Sequence, residues 1–360
     1  HGMGSNFFAN EIAKWKFEPA HWLHSADLVV LEFAVNDVEG GLQSYSEFKK
    51  QGLSTDGKVE YWTEALVRQL LTLPSQPALV WLEMAFKDWQ EAARPPYHHD
   101  AIFAHLTILQ YYDVPQLSVL NALQPLTSLK QRQWLKSTYF ADAHHPTQLG
   151  HMMAAQVVGF WLFWSEHDAE EGSAAGPSTQ ESLPLPLVLP QDVADSFALS
   201  HITSIDLRNG TLAQPWILQG NFSEDWDFGE DVPGKPGLIS TKVGARLVVK
   251  VPITKSPLES RTVNVGLLKS YANMGIVSIS LVGPPQQQSC NAAAFVGGHT
   301  KTLGTLKVDC MWSAKASVYD VVPLQLKWQH LPCVWIVFEV LPSTPPRSTN
   351  KVKLIDINVL

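Results

Sequence analysis

The hydrophobic pattern of this chain changes period once, and that change does most to limit its fold. Up to about residue 165, short apolar runs alternate with segments of helical spacing. Asn6 to Trp15 reads as a helix and Asp27 to Phe33 as a buried strand. Val59 to Leu71 reads as a helix, with Val59, Trp62, Leu66 and Leu70 on one face. Pro77 to Ala85 reads as a strand, Asp100 to Tyr112 as a helix, and Gln116 to Leu120 as a short strand. Gly150 to Trp164 reads as a long buried helix. Strands alternating with helices imply a mostly parallel sheet covered on both faces. After about residue 195 the helical period disappears. Arg246–Ile253, Thr262–Leu268, Gly275–Val282, Thr305–Trp312, Val334–Leu341 and Val352–Leu360 are β-rich runs separated by Gly, Pro and Ser clusters. Many alternate apolar and polar residues, as in Lys353-Leu354-Ile355-Asp356-Ile357-Asn358-Val359, which is the pattern of an antiparallel sandwich or jelly roll.

The stretch between these halves is polar around Glu170-Glu171 and then rich in proline, as in Leu183-Pro184-Leu185-Pro186. That is a linker composition with a stiff end. The expected organisation is a three-layer α/β/α domain with a mostly parallel sheet over residues 1–166, a linker over 167–194, and an antiparallel β-sandwich over 195–360. A chain of 360 residues, 45% of them hydrophobic, can supply two cores. A net charge of -8 without a Lys/Arg cluster argues against nucleic acid or an anionic membrane surface as partner. No segment reaches the roughly 18 uninterrupted apolar residues of a membrane span.

Two short segments carry the chemistry. Phe33-Ala34-Val35-Asn36-Asp37 follows a strand, and Asp142-Ala143-His144-His145-Pro146 precedes a helix. The end of a strand in an open α/β sheet is where ligands bind. Ester cleavage needs a base for the nucleophile, a carboxylate that orients the base, and donors that hold the tetrahedral oxyanion. His145, Asp142 and Asn36 are of the right types for these three roles. Pro146 biases His145 toward extended backbone, and Gly150 permits close packing where the last helix begins.

In these residues the chain resembles the SGNH (GDSL-like) hydrolase family over about residues 1–165. The Asp142-Ala143-His144-His145 segment is similar to that family's Asp-x-x-His block. Ala34-Val35-Asn36-Asp37 is similar to its Gly-x-Asn-Asp block, with Ala for Gly. Gly2-Met3-Gly4-Ser5-Asn6-Phe7 is similar to its glycine-turn block, with Gly2 as the matching backbone donor and Gly4 next. Glu32 to Asp37 also looks like a subgroup of plant, algal and bacterial members. Lys269-Ser270-Tyr271-Ala272-Asn273-Met274-Gly275 resembles a β-domain segment that follows such catalytic domains. The resemblance implies a serine esterase in which His145 is the base, Asp142 its orienting partner, and Asn36 and Gly2 the oxyanion donors. It implies no cofactor. Its substrate would be an acylated small molecule or polysaccharide, a carbohydrate O-acetyl ester first. An O-acyltransferase acting on a sugar, or a non-catalytic binding protein, are the alternatives.

The family's Gly-Asp-Ser nucleophile block has no counterpart in this sequence. Ser5 is a poor substitute, because only four residues precede it and a nucleophile block needs a strand first. The expectation is that the nucleophile lies upstream of His1 and that this chain alone is inactive. A signal peptide would be lost with the same segment, and an extracellular or secretory-pathway location is favoured. Asn209-Gly210-Thr211 and Asn221-Phe222-Ser223 are glycosylation tripeptides that matter in that case.

Other readings are less specific. His98, His99, His144, His145 and His151 lack metal-ligand spacing, so no metal is expected. Trp81, Trp89, Trp161 and Trp164 read as core residues. Of Cys290, Cys310 and Cys333 at least one is unpaired within the chain, and a Cys290–Cys310 bridge suits an oxidising compartment. Oligomeric state is not legible.

Overall fold

A computed structural model describes residues 4–15, 21–33, 37, 59–84, 100–123, 137–141, 145–171, 183–189, 191, 194, 203–208, 214–218, 220, 222–231, 235–253, 261–284, 295, 300–311, 317–326, 331–343 and 349–359. The chain divides into two compact units. One is Glu18–Leu189. The other joins His1–Phe17 to Pro190–Leu360.

The unit of residues 18–189 holds a three-stranded parallel sheet in the order β1 (Leu28–Leu31), β2 (Ala78–Glu83), β3 (Gln116–Ser118). Helices α2 (Val59–Leu71) and α3 (Asp100–Tyr111) form the connections, as the alternating pattern predicts. Helix α2 carries Glu60 in its first turn, where a carboxylate suits the helix dipole. Helix α3 ends where Asp113 takes the left-handed φ of 54° and the Val114 N–H bonds back to the Leu109 carbonyl, which turns the chain into β3. Side chains alternate along β2. Trp81 and Glu83 meet His105 of α3. Leu82, followed by Met84, packs in a cluster with Val119 and Leu123 of α4 (Val119–Leu123), with Tyr139 and Phe140, and with Ala154 of α5 (Gln148–Glu171).

Three expectations need correction in this unit. The strand predicted over Gln116 to Leu120 stops at Ser118, and the chain enters α4 at Val119. Helix α5 continues to Glu171, so the first residues of the expected linker are helical. That helix is also not buried. Met153, Ala154, Val157 and Val158 pack against the unit, whereas Phe160, Phe163 and Trp164 are exposed. An apolar composition all round a helix does not say which faces will be covered. No described helix is long and apolar enough to cross a membrane.

The other unit contains two antiparallel sheets. One has the order β10 (Lys301–Asp309), β9 (Ile276–Gly283), β12 (Cys333–Leu341), β7 (Arg246–Pro252). The second has the order β11 (Val318–Leu326), β8 (Arg261–Lys269), β13 (Val352–Val359), β6 (Pro236–Ser240), β5 (Asp227–Glu230), and β4 (Thr203–Asp206) also pairs with β13. Strands β4, β5, β6 and β11 were not legible as runs, three of them because they have only four or five residues.

Helix α1 (Ser5–Trp15), expected in the α/β domain, belongs to this unit and packs against β11. Phe7 meets the Tyr319 ring edge-on at 4.9 Å, and Asn10 accepts from Asn264 of β8 at 3.3 Å. Strand β13 alternates apolar and polar residues, yet both of its faces are covered. All eight of its residues are buried, Asp356 and Asn358 included. Asp356 Oδ1 accepts from the Tyr319 hydroxyl at 2.9 Å and from the Asn358 amide at 3.1 Å. Gly266 makes room for this, since a Cβ there would lie 2.5 Å from the Asp356 carboxylate and 2.6 Å from the Tyr319 ring.

Cysteine chemistry differs from the expected pairing. Cys333 is disulfide-bonded, and Cys310 is a buried thiol outside any disulfide, so a Cys290–Cys310 bridge does not form. Cys310 is held in the ladder beside β9, where its N–H bonds to the Gly275 carbonyl.

Candidate active site

The loop carrying His145 is closed at its base by a short ladder. Phe140 and Pro146 form an antiparallel bridge, and the Ala141 N–H donates to the His145 carbonyl at 2.8 Å. The Thr147 N–H donates to the Tyr139 carbonyl at 2.6 Å, and the Thr147 hydroxyl donates to the Thr138 carbonyl at 2.5 Å. The same hydroxyl accepts the Gly150 N–H at 3.2 Å, which makes Thr147 the N-cap of α5. Gly150 is required here, because a Cβ would lie 2.6 Å from the Tyr139 carbonyl oxygen and 2.7 Å from Pro146. The result is an exposed His145 on a loop whose two ends are fixed.

Of the other predicted site residues, Gly2, Asn36 and Asp142 lie outside the described residues. Ser5 is described. It opens α1 in the other unit, is 1% exposed, and so has no surface to offer a substrate. The structure therefore places His145 at a surface loop of the α/β unit. Trp81 is fully buried as expected, and Trp164 is not.

Directly after the Asn36 position, the chain is anchored. The Asp37 N–H closes a turn on the Phe33 carbonyl at 2.9 Å. Its carboxylate meets His105 Nε2 at 2.9 Å, and Glu83 Oε1 meets His105 Nδ1 at 2.8 Å. Gln116 donates to the same Glu83 oxygen at 3.0 Å. The Trp81 ring covers the imidazole at 4.6 Å between centroids, and Phe33 packs on Trp81. All three charged groups are buried. Burial alone would push the imidazolium toward neutrality. The Glu83 and Asp37 carboxylates overcome it and raise the His105 pKa to about 10.

Glu83 and His105 were not singled out from sequence. Each is one polar residue in an otherwise apolar run, Val80-Trp81-Leu82-Glu83 and Ile102-Phe103-Ala104-His105-Leu106. A charged residue at a core position seldom stands without a partner, and that was the available signal. Both ring nitrogens face carboxylates, so the imidazole has no lone pair for a metal. Among the described residues no group of three His, Cys, Asp or Glu side chains could hold a metal ion.

No protein-family model matches the chain, and no curated protein matches it in sequence. Among solved structures, a two-domain esterase (CEX) active on acetylated mannans matches with a TM-score of 0.58 and 16% identity, covering 99% of this chain and 78% of that one. The same kind of esterase co-crystallized with mannopentaose matches with a TM-score of 0.52 and 15% identity, over 99% of this chain and 77% of that one. The likeness is one of fold. That likeness of fold extends along almost the whole chain.

Proposed function

We propose that the α/β unit is a three-layer α/β/α hydrolase domain of SGNH type, that the β unit is a β-sandwich serving it, and that the protein cleaves carboxylic esters on a carbohydrate. The observation that carries this reading is the exposed His145 on a loop fixed at both ends, in a chain with the fold of a two-domain esterase. Acetylated polysaccharide is the favoured substrate class, since the fold neighbour is active on acetylated mannans.

In the proposed reaction a serine hydroxyl, supplied by sequence ahead of these residues, attacks the acyl carbon. His145 takes the serine proton and passes it to the departing sugar oxygen. The Asp142 carboxylate holds the imidazole in the tautomer this requires. Asn36 stabilises the oxyanion, a role that the motif resemblance extends to the Gly2 backbone N–H. Water, deprotonated by His145, then releases acetate and restores the serine. A sugar hydroxyl in place of that water would make the same residues a transferase.

The test uses a full-length protein that includes the upstream sequence. Acetate release from acetylated mannan is measured for the wild type and for His145→Ala. A loss of about a thousandfold or more is expected for the variant. Unchanged turnover removes the assignment, and acyl transfer to added oligosaccharide with little free acetate selects the transferase.

A further inference from the structure

The buried group around His105 takes no part in the proposed reaction, yet it holds the residue that follows Asn36. A neutral imidazole has one N–H and one lone pair. It can donate to one carboxylate but must turn a lone pair on the other. With Glu83 Oε1 at 2.8 Å and Asp37 Oδ2 at 2.9 Å on opposite ring nitrogens, and both acids ionised, only the imidazolium donates to both. Asp37 comes from the segment after β1, Glu83 from the end of β2 and Gln116 from β3, while the Trp81 face completes the enclosure. His105 therefore ties the segment after β1 and the end of β2 to α3, with one charge-assisted hydrogen bond to each.

We propose that His105 is a positioning residue held as the imidazolium at neutral pH, which anchors Asp37 and thereby fixes the chain directly after the oxyanion donor Asn36. The catalytic consequence rests on the esterase reading given above, but the anchor itself does not. An oxyanion donor acts only if it already points where charge develops. Such a donor gains from a fixed neighbour, and Asp37 is fixed by an ion group of residues 68 and 22 apart in sequence. The geometry also separates two histidines by role. His145 is exposed on its loop and carries the proposed proton transfers, whereas His105 is sealed.

The test has a structural arm and a kinetic arm. On this chain, histidine 15N NMR should show one imidazole protonated on both nitrogens from pH 5 to 9, with slowly exchanging ring protons, and Asp37→Asn should abolish that signature. Hydrogen exchange at the Asp37 amide should speed up at least about tenfold in His105→Gln, since local opening becomes easier. A neutral His105 at pH 7, or unchanged exchange, overturns the anchor. In the full-length protein, Glu83→Gln is compared with Glu83→Gln/His105→Gln, so that no second carboxylate is left without its cation. The double variant should lose about tenfold or more in kcat with KM nearly unchanged, as expected for loss of a transition-state interaction. Equal kcat in the two variants overturns the positioning role. If the double variant does not fold, Asp37→Asn takes its place, with the same loss in kcat expected. Absence of turnover in the wild type removes the esterase reading, and the NMR and exchange results then decide the anchor alone.

Discussion

The Tyr112 hydroxyl donates to Glu64 Oε1 at 2.5 Å, and this contact is the centre of a latch. The same carboxylate accepts the backbone N–H groups of Leu187, Val188 and Leu189 at 2.6, 2.7 and 2.7 Å. Arg68 reaches both the Tyr112 oxygen and the Pro184 carbonyl at 2.7 Å, and Tyr111 donates to the Leu185 carbonyl at 2.9 Å. Burial and then the Glu64 contact push the Tyr112 hydroxyl above its ordinary pKa, so it stays a donor at alkaline pH. The proline-rich end of the expected linker is therefore docked on α2 and α3.

Glu64→Gln tests this latch. A glutamine offers one acceptor oxygen and brings an NH2 that faces backbone donors. Loss of charge-assisted bonds in a buried site should cost about 2–4 kcal/mol in urea unfolding. Amide exchange should rise at Leu187, Val188 and Leu189. A cost below about 0.5 kcal/mol would mean that water replaces the carboxylate and the strap is not held by it.

His105 also makes the stability of the α/β unit depend on pH. Its folded pKa of about 10 lies above the ordinary value of 6.5. Folding therefore binds a proton more tightly, and this contribution is complete below pH 6.5. It declines as pH rises toward about 10 and is gone above it. Urea midpoints measured from pH 6 to 10 should fall in the wild type and fall less in His105→Gln/Glu83→Gln. Parallel curves would rule out His105 as the source.

Much of the architecture could be read from spacing alone. Helix α2 begins and ends at the residues its apolar period indicates, and the long strands β7, β8, β9, β12 and β13 lie where their runs predict. What could not be read depends on contacts between distant residues. Period describes one segment, and it cannot say that α1 would cover β11, or that His105 would find carboxylates from two other elements. Alternation along β13 reports two faces and not what lies over them, so the burial of Asp356 and Asn358 was not legible. At the candidate site, the loop of His145 was legible through Pro146 and Gly150, each of which restricts local geometry.

Gly150→Ala should damage that loop. The new Cβ would meet the Tyr139 carbonyl oxygen at 2.6 Å, closer than a Cβ tolerates, so the backbone must shift. The bond from Thr147 to Tyr139 lies at the same point, and the base of the His145 loop should open with it. Overpacking of this kind costs about 1–3 kcal/mol. Gly159→Ala on the same helix is the control, because its Cβ would point into open space and should stabilise by up to about 1 kcal/mol. Ester turnover of the full-length protein should fall for Gly150→Ala and hold for Gly159→Ala. Equal behaviour of the two would show that the His145 loop does not depend on this close approach.

Acid should weaken the β unit through Asp231. Partial burial works to raise its pKa, but Lys351 and Lys353 outweigh it and hold the carboxyl at about 2, against an ordinary 3.8. Its contribution is present above pH 3.8 and is lost as pH falls through about 2. The partner that matters is Lys353, which is fully buried and also donates to the Lys235 carbonyl. Asp231→Asn leaves that ammonium with a neutral partner and should cost about 2–4 kcal/mol. Lys353→Met alone removes the buried charge and should cost less, since the stem already packs against Gly237 and only the ammonium is lost. Urea unfolding of both variants decides the point. A larger cost for Lys353→Met than for Asp231→Asn would mean that the ion pair, and not relief of a buried charge, sets the stability of this strand.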